Sequence, residues 1–102
     1  QGGAMNRREV EAEFLKALGQ PTRLRILEML ADGERCVCDI QLAIGEEQSN
    51  VSKHLAILRR AGILEARRES PRVVYRIRDA RVPEFLERLR QTFRQDFFRA
   101  ET

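Results

Sequence analysis

Apolar residues recur every third or fourth position along most of this chain, and that spacing predicts α-helices. We predict a first helix over residues 6–18, a second over residues 21–31 and a third, shorter helix over residues 38–44. A glycine or an Asp-Gly pair follows each segment, and such residues commonly end helices. The chain up to Gly45 is therefore predicted to consist of three helices joined by short turns.

A fourth helix is predicted to begin near Gln48 or Ser49 and to end before Gly62. Ser49 is expected to cap the free amide groups at its start. The inward face of this helix is an apolar stripe: Val51, Leu55 and Leu58. Its outward face begins with short hydrogen-bonding side chains and continues with basic ones: Gln48, Ser49, Asn50, Ser52, Lys53 and His54.

Two short runs with strand-like composition, residues 64–69 and 73–77, follow this helix and flank Ser70-Pro71-Arg72. This pattern predicts a β-hairpin with an arginine-rich tip. A last helix is predicted over residues 82–98, with an apolar stripe opposite a charged side. The predicted fold class is mainly α with a small β-hairpin: a winged helix-turn-helix with an additional helix at each end.

Length and composition predict one small globular domain. Residues 1–4, which precede Met5, are interpreted as a cloning remnant, and residues 5–102 as the single domain. No apolar run is long enough for a membrane span and no signal peptide is recognised, so we expect a cytoplasmic protein without a membrane partner. The 19 basic residues exceed the 16 acidic ones and give a net charge of +3, which is weak support for a nucleic-acid partner.

A helix that reads DNA packs on its domain with one face and offers hydrogen-bonding side chains to the major groove with the other. The fourth predicted helix has this composition, and arginines of the hairpin can reach phosphates or a neighbouring minor groove. Each residue taken alone is an ordinary solvated side chain, but their succession favours a DNA-binding surface. The predicted contacts to double-stranded DNA are Gln48, Ser49, Asn50, Ser52, Lys53, His54, Arg67, Arg68 and Arg72.

Two cysteines one residue apart, Cys36 and Cys38, form the candidate metal or metalloid site at the start of the third helix. Thiolates bind soft ions such as trivalent arsenic and antimony strongly. In a reducing cytoplasm the thiols are expected to be free, and a disulfide between such close positions would be strained. On a regular helix the two side chains point to separate sides, so shared binding requires a loose first turn. Inert buried cysteines and a redox pair are the alternatives.

Three segments of the sequence together resemble the ArsR/SmtB family of metal-responsive repressors. Residues 18–27 (LGQPTRLRIL) resemble the family's second-helix signature, and residues 52–55 (SKHL) with 58–64 (LRRAGIL) resemble its recognition helix and the entry to the wing. Residues 34–40 (ERCVCDI) resemble the thiolate box of its arsenic- and cadmium/lead-sensing branches. The similarity extends over nearly the whole chain, from about Phe14 to Phe97.

The resemblance implies a homodimer joined through the first and last helices, bound to an imperfect inverted repeat in a promoter and released by an inducer. It implies no required cofactor, and the inducer expected for two thiolates is arsenite or antimonite. The apolar stripe of the last helix independently favours a partner, although packing within one subunit is the alternative. The predicted interface consists of Phe14, Leu18, Phe85, Leu89, Phe93 and Phe97.

The chain departs from the family pattern in its possible metal ligands. Gln41 stands where the arsenic-sensing pattern often has a third cysteine, and the amino-terminal arm has none of the cysteines that cadmium/lead sensors use. The last helix lacks the histidines of the zinc-sensing branch. Binding by two thiolates, completed by an outside thiol or hydroxide, is therefore the expected mode.

Other classes of function agree less well with the residues. An enzyme is not expected, because His54 is the single histidine and no glycine-rich phosphate loop or catalytic motif is present. A DNA-binding regulator without an inducer, its cysteines inert or redox-responsive, is one alternative to the inducible repressor. A winged helix that binds another protein is the second alternative.

Overall fold

The predicted helical framework with a small β-hairpin is confirmed by the structure, a computed structural model that describes residues 3–96, with side chains for residues 3–93. Its elements in chain order are α1 (Arg7–Leu18), α2 (Pro21–Leu30), β1 (Arg35–Cys36), α3 (Val37–Ile44), α4 (Gln48–Arg60), β2 (Leu64–Glu69), β3 (Arg72–Ile77) and α5 (Arg81–Asp96). Residues 97 and 98 of the predicted last helix lie outside the described residues. None of the helices within residues 3–96 combines the length and apolar character that crossing a membrane requires.

The helices start differently, and one predicted cap is wrong. At α1, Asn6 Oδ1 accepts from the amide of Glu9 at 2.8 Å, and Glu9 Oε1 accepts from the amide of Asn6 at 3.0 Å. This reciprocal pair fixes where α1 begins. The expected cap of α4 by Ser49 is not formed, because that helix begins one residue earlier, at Gln48. Its N-cap residue is Glu47, which makes no side-chain capping bond.

The wing, formed by β2 and β3, belongs to a three-stranded antiparallel sheet with β3 in the centre. Glu69 lies opposite Arg72, so the hairpin turns at Ser70-Pro71. The third strand, β1, has no counterpart among the elements that the sequence predicts, since two residues are too few to show a period. It pairs Cys36 with Val74. The cysteine segment is therefore attached directly to the wing.

All five helices and the hairpin contribute to one hydrophobic core. Its most deeply buried large side chains are Ile26, Leu27, Ile40, Val51, Leu55, Leu58 and Ile63. Because Ile40 belongs to α3 and Leu55 to α4, both helices of the helix-turn-helix are held by the same core. Leu18 is only 4% exposed and packs in this core. This burial corrects the prediction that Leu18 faces a partner subunit.

Candidate DNA-binding surface and cysteine pair

The outer face of α4 is a row of exposed polar side chains. Gln48, Ser49, Asn50, Ser52 and Lys53 are all exposed, because the apolar stripe of the same helix is buried. The first four offer short hydrogen-bonding groups, and Lys53 adds a positive charge. Their position at the amino end of a helix adds the field that backbone amides provide for a phosphate. The structure thus brings five of the predicted DNA contacts onto one surface.

His54, the next polar residue of α4, is half-buried and bonded to α2. Its Nδ1 lies 3.1 Å from Nη1 of Arg23. Because an arginine N–H can only donate, Nδ1 accepts, and the ring proton of the neutral form is assigned to Nε2. Arg23 also donates from Nε to the carbonyl oxygen of Ala17 at 2.7 Å. His54 helps to fasten α4 to α2, which corrects the prediction that it points outward.

The three arginines of the wing differ in their surroundings. All three side chains, those of Arg67, Arg68 and Arg72, are exposed, and they differ in their ion pairs. Arg67 forms ion pairs with the carboxylates of Glu34 and Glu69. These hydrogen bonds, the one to Glu34 first, raise the pKa of the Arg67 guanidinium above its ordinary value. Since the charge of Arg67 is compensated within the protein, the positive charge that the wing offers to a phosphate comes mainly from the other two arginines.

Glu46 has no place among the predicted site residues, yet it connects three helices from the turn between α3 and α4. Its Oε2 accepts from Thr22 Oγ1 at 2.7 Å, and its Oε1 accepts from Asn50 Nδ2. Its main-chain oxygen accepts from Gln41 Nε2 at 2.6 Å. The Thr22 hydrogen bond is the main cause that lowers the pKa of the Glu46 carboxyl group. No local pattern could have revealed this contact, because Thr22 lies 24 residues earlier in the chain.

Cys36 and Cys38 are joined by a disulfide bond, which corrects the prediction of two free thiols. Cys36 is the last residue of β1 and the N-cap of α3, with an extended backbone (φ −75°, ψ 158°). Cys38 lies in the first helical turn. The Cα atoms are 5.3 Å apart, within the usual range for disulfides. Two such side chains point apart only inside a regular helix, and Cys36 lies outside α3.

The cysteine pair also fits a soft metalloid when it is reduced. The candidate ligand atoms of Cys36, Cys38 and Asp39 all lie within 4.8 Å of one another. Two thiolates suit a soft ion, whereas the carboxylate of Asp39 is a hard ligand and suits it poorly. Cys36 Sγ accepts a hydrogen bond from the Asp39 amide at 3.3 Å, so this sulfur is also the cap of α3. The pair therefore supplies two soft ligands and needs a third from elsewhere.

An open groove of about 510 Å³ connects the cysteine pair with the DNA-facing residues. Gln48, at the start of α4, and Arg72, of the wing, line it together with both cysteines. Gln41 lines it too, and its Oε1 atom is buried without a hydrogen-bond partner among the described residues. A chemical change at either sulfur therefore takes place next to both elements that are expected to contact DNA.

The predicted dimer surface includes exposed apolar side chains of α5 and the half-buried Phe14 of α1. The rings of Phe14 and Phe85 meet edge to face, with their centroids 6.2 Å apart. Phe85 and Leu89 remain 44% and 38% exposed. Phe93 is half-buried, and Phe97 lies outside the described residues. An apolar surface of this kind is suited to a partner but does not by itself show one.

An exposed polar helix beside a β-wing, both supported by one helical core, defines a winged helix-turn-helix protein. A family model described as bacterial regulatory protein, arsR family, matches residues 20–66. An uncharacterized HTH-type transcriptional regulator of Methanocaldococcus jannaschii is 46% identical over 83 residues, which cover 80% of this chain and 93% of that protein. The chain belongs to the arsR family of transcriptional regulators, which confirms that it is not an enzyme.

Two more similarities concern a named repressor and a solved structure. The arsenical resistance operon repressor of Escherichia coli is 41% identical over 66 residues, which cover 64% of this chain and 56% of that protein. A homodimeric winged helix-turn-helix DNA-binding domain from Mycobacterium bovis, described as a possible ArsR-family regulator, is 32% identical. Its solution structure superposes with a TM-score of 0.82, covering 97% of this chain and 95% of that one. The predicted winged helix-turn-helix is confirmed.

Proposed function

We propose that this chain is a homodimeric, cytoplasmic transcriptional repressor that binds an imperfect inverted repeat in double-stranded DNA. It leaves the DNA when trivalent arsenic or antimony binds to reduced Cys36 and Cys38. The observation that carries the proposal is the position of Cys36. This residue is at once the strand partner of Val74 in the wing and the N-cap of α3, the helix that leads into α4.

The DNA-binding half is supported by the distribution of polar and charged groups. The start of α4 carries exposed hydrogen-bonding side chains, and its backbone amides have no side-chain cap from Glu47. Such amides are available to a phosphate. Lys53, Arg68 and Arg72 are exposed and can contact the DNA backbone, which fixes position, while the shorter side chains contact base edges.

The proposed release by a metalloid is supported by a continuous set of contacts from the sulfurs to the DNA-facing helix. Cys36 Sγ holds the first turn of α3 through the Asp39 amide. Two residues after Asp39, Gln41 Nε2 donates to the main-chain oxygen of Glu46, just before α4. When two thiolates bind one ion, their sulfur atoms must move apart from bonding distance and around the ion. That movement changes the cap of α3 and the β1–β3 pairing together.

Similarity to the Escherichia coli arsenical resistance operon repressor favours arsenite as the inducer. The chain itself supplies two sulfurs, and Gln41 occupies the position where a third cysteine is often found. We therefore propose that an outside thiol or a hydroxide completes the ligand set. Antimonite, which has the same softness and charge, is expected to behave alike.

A redox-responsive regulator is the second candidate, and the bond between the two sulfurs favours it. Oxidation of the two thiols by a peroxide forms the S–S bond, removes two electrons and two protons, and reduces the peroxide to water or an alcohol. In this version the oxidised and reduced proteins differ in DNA affinity, and no metalloid is required. The same cap of α3 would transmit the change.

One experiment separates these candidates. Binding of fully reduced protein to a labelled fragment of its own promoter is measured by fluorescence anisotropy, alone, with arsenite and with peroxide. The variants are Cys38→Ser, at an exposed position, and Cys36→Ser, at a buried one. Ala43→Ser is the matched control, since it adds the same hydroxyl group to an exposed position of α3. Circular dichroism checks that each variant is folded.

Release by arsenite from the wild type and Ala43→Ser, but not from either cysteine variant, is the expected result. If arsenite also releases the cysteine variants from DNA, the assignment of the inducer site to the two thiolates is wrong. A response to peroxide alone selects the redox candidate, and no response to either reagent selects a regulator without an inducer. DNA affinity should also fall steeply as salt rises, because phosphate contacts release counterions. Failure to bind any duplex at low salt would favour a protein-binding module.

A further inference from the structure

Asn50 differs from its exposed neighbours at the start of α4, because its side chain is anchored. Its Nδ2 donates to Oε1 of Glu46, and Oε2 of Glu46 accepts from Thr22 Oγ1 at 2.7 Å. Thr22 lies in the first turn of α2. A side chain at the predicted DNA-facing end of α4 is thus held, through one carboxylate, by the start of another helix.

The carboxylate determines which way round the Asn50 carboxamide lies. An ionised carboxylate can only accept hydrogen bonds, so the nitrogen of Asn50, and not its oxygen, must face Glu46. The pKa of Glu46 is lowered, mainly by the Thr22 hydroxyl, and so the carboxylate stays ionised near neutral pH. One N–H of Nδ2 is used by Glu46. The second N–H and the oxygen Oδ1 are left for a ligand.

We propose that Glu46 is a positioning residue for base recognition, which orients Asn50 so that its carboxamide pairs with an adenine in the major groove. The inference rests on the DNA-binding half of the proposed function. Adenine presents an acceptor, N7, beside a donor, the N6 amino group, and a carboxamide complements both at once. Guanine presents two acceptors there, so the oxygen of a fixed carboxamide would meet an acceptor instead of a donor.

An unanchored asparagine would discriminate less. Rotation about the bond to a carboxamide is only weakly restricted, so nitrogen and oxygen can exchange places. An asparagine that can turn offers its nitrogen to guanine and its oxygen to adenine or cytosine. Anchoring also removes rotational freedom before DNA binds, which lowers the entropic cost of the contact.

The test measures base preference as well as affinity. A duplex that the intact protein selects from a random pool is changed one base pair at a time, and binding is followed by fluorescence anisotropy. For the wild type, replacing one adenine in one half-site should weaken binding by about 5- to 150-fold, the range of a good bidentate contact. Asn50→Ala should remove the preference at that position and at no other.

Glu46→Gln keeps the size of the side chain but offers both a donor and an acceptor, so both orientations of Asn50 become possible. We expect the preference for that adenine to fall to a few-fold, with the other positions unchanged. Glu46→Ala removes the anchor, and combining it with Asn50→Ala should cost no further selectivity beyond Asn50→Ala alone. Thr22→Val, which removes only the supporting hydroxyl, should give a partial loss.

Glu47→Gln is the matched control, since it removes the same charge from the neighbouring, exposed position. Both charge removals should raise the affinity for every duplex by a similar factor, because a negative charge near phosphates is lost. Only Glu46→Gln should change the preference for one base. Thermal unfolding of each variant verifies that the fold persists.

Full adenine preference in both Glu46→Gln and Glu46→Ala overturns the inference. Equal loss of preference at every position of the site overturns it too, since that result indicates a displaced helix. If the intact protein binds no duplex at low salt, the proposed function fails and this inference with it. If the intact protein binds selectively and the Glu46 variants keep the same selectivity, only this inference fails.

Discussion

The two helices of the helix-turn-helix pack on the same core but begin in different ways. α3 begins at Cys36, whose sulfur accepts from the amide of Asp39 and is bonded to Cys38. α4 begins at Glu47, which makes no side-chain capping bond. The start of α3 therefore depends on the chemical state of two sulfur atoms. The start of α4 leaves backbone amides open to a phosphate.

This difference separates the segment that we propose responds to an inducer from the segment that we propose contacts DNA. Around α4, Glu46 is bonded to Thr22 and Asn50, and none of these groups reacts with a soft ion or a mild oxidant. Between the two helix starts lies Gly45, whose φ of 77° is a left-handed conformation that suits glycine. A change at the sulfurs can reach α4 along α3 and through this turn, and it can reach the wing through the pairing of Cys36 with Val74.

The largest expected effect comes from removing the core contact that the α3 start depends on. Ile40 is fully buried in α3, and Ile40→Ala should lower the free energy of unfolding by about 2–5 kcal/mol, because burial is lost and a cavity remains. Leu42→Ala, in the same helix at 82% exposure, is the control and should stay within about 0.5 kcal/mol. Urea unfolding measures both. Equal losses would mean that the outer face of α3 is buried in the functional assembly.

Reduction of the disulfide is expected to change stability much less than it changes DNA binding. The bond closes a loop of very few residues, since the cysteines are separated by 2 positions. Chain entropy for so short a loop gives a stabilisation of only about 1.5 kcal/mol. Urea unfolding with and without a phosphine reductant measures it, and Cys38→Ser should not respond to the reductant. A fall of more than about 4 kcal/mol in the free energy of unfolding on reduction would show that the disulfide stabilises the whole fold and not only the start of α3.

A side-chain cap can be added to α4 to make its start resemble the others. Glu47 has the extended backbone of an N-cap residue (φ −59°, ψ 145°) but a side chain that makes no cap. Glu47→Asp keeps the charge and shortens the side chain, so that its carboxylate can accept from an amide in the first turn of α4. The free energy of unfolding should therefore rise by about 0.5–1 kcal/mol. Asn6→Ala, which removes the cap of α1, should lower the free energy of unfolding. An unchanged midpoint of urea unfolding for Glu47→Asp would indicate that the α4 amides already have partners.

The smallest effect is a pH dependence that belongs to the α4 start alone. The pKa of Glu46 in the folded protein is lowered from its ordinary value of 4.5, first of all by the Thr22 hydroxyl. The contribution of this carboxylate to stability is therefore present above pH 4.5 and is lost as the pH falls through the folded pKa. The difference in melting temperature between wild type and Glu46→Gln should shrink between pH 6 and pH 3. A constant difference for Glu46→Gln would contradict the assignment.

The sequence predicted the helices well, because their determinants are local. The stripe of Val51, Leu55 and Leu58 located the buried face of α4 correctly, since apolar residues three and four apart must share a side of the helix. The start of the same helix, predicted near Gln48 or Ser49, is at Gln48, but its cap was predicted incorrectly. Ser49 is a common capping residue, but the cap position fell on Glu47, and intrinsic preference did not decide it.

The polar contacts could not be predicted in the same way. His54 was expected on the outer face and instead meets Arg23, and the ion pair of Arg67 with Glu34 was not expected from the sequence. Each partner lies in a distant part of the chain. No fixed sequence spacing relates the two residues of such a pair, so no local pattern reveals it. The prediction of two free thiols was wrong for a related reason, because two such side chains diverge only within one regular helix, and Cys36 lies in β1.

The sequence by itself determined which segments are helical, which faces are buried and that the chain has the form of a winged regulator, because burial of apolar area acts on every turn of a periodic segment. The tertiary structure alone decided that Thr22 supports Glu46, that Glu46 holds Asn50 and that the sulfurs meet. These contacts depend on directional bonds between atoms a few ångströms apart, and such distances are set only when separate elements have packed together.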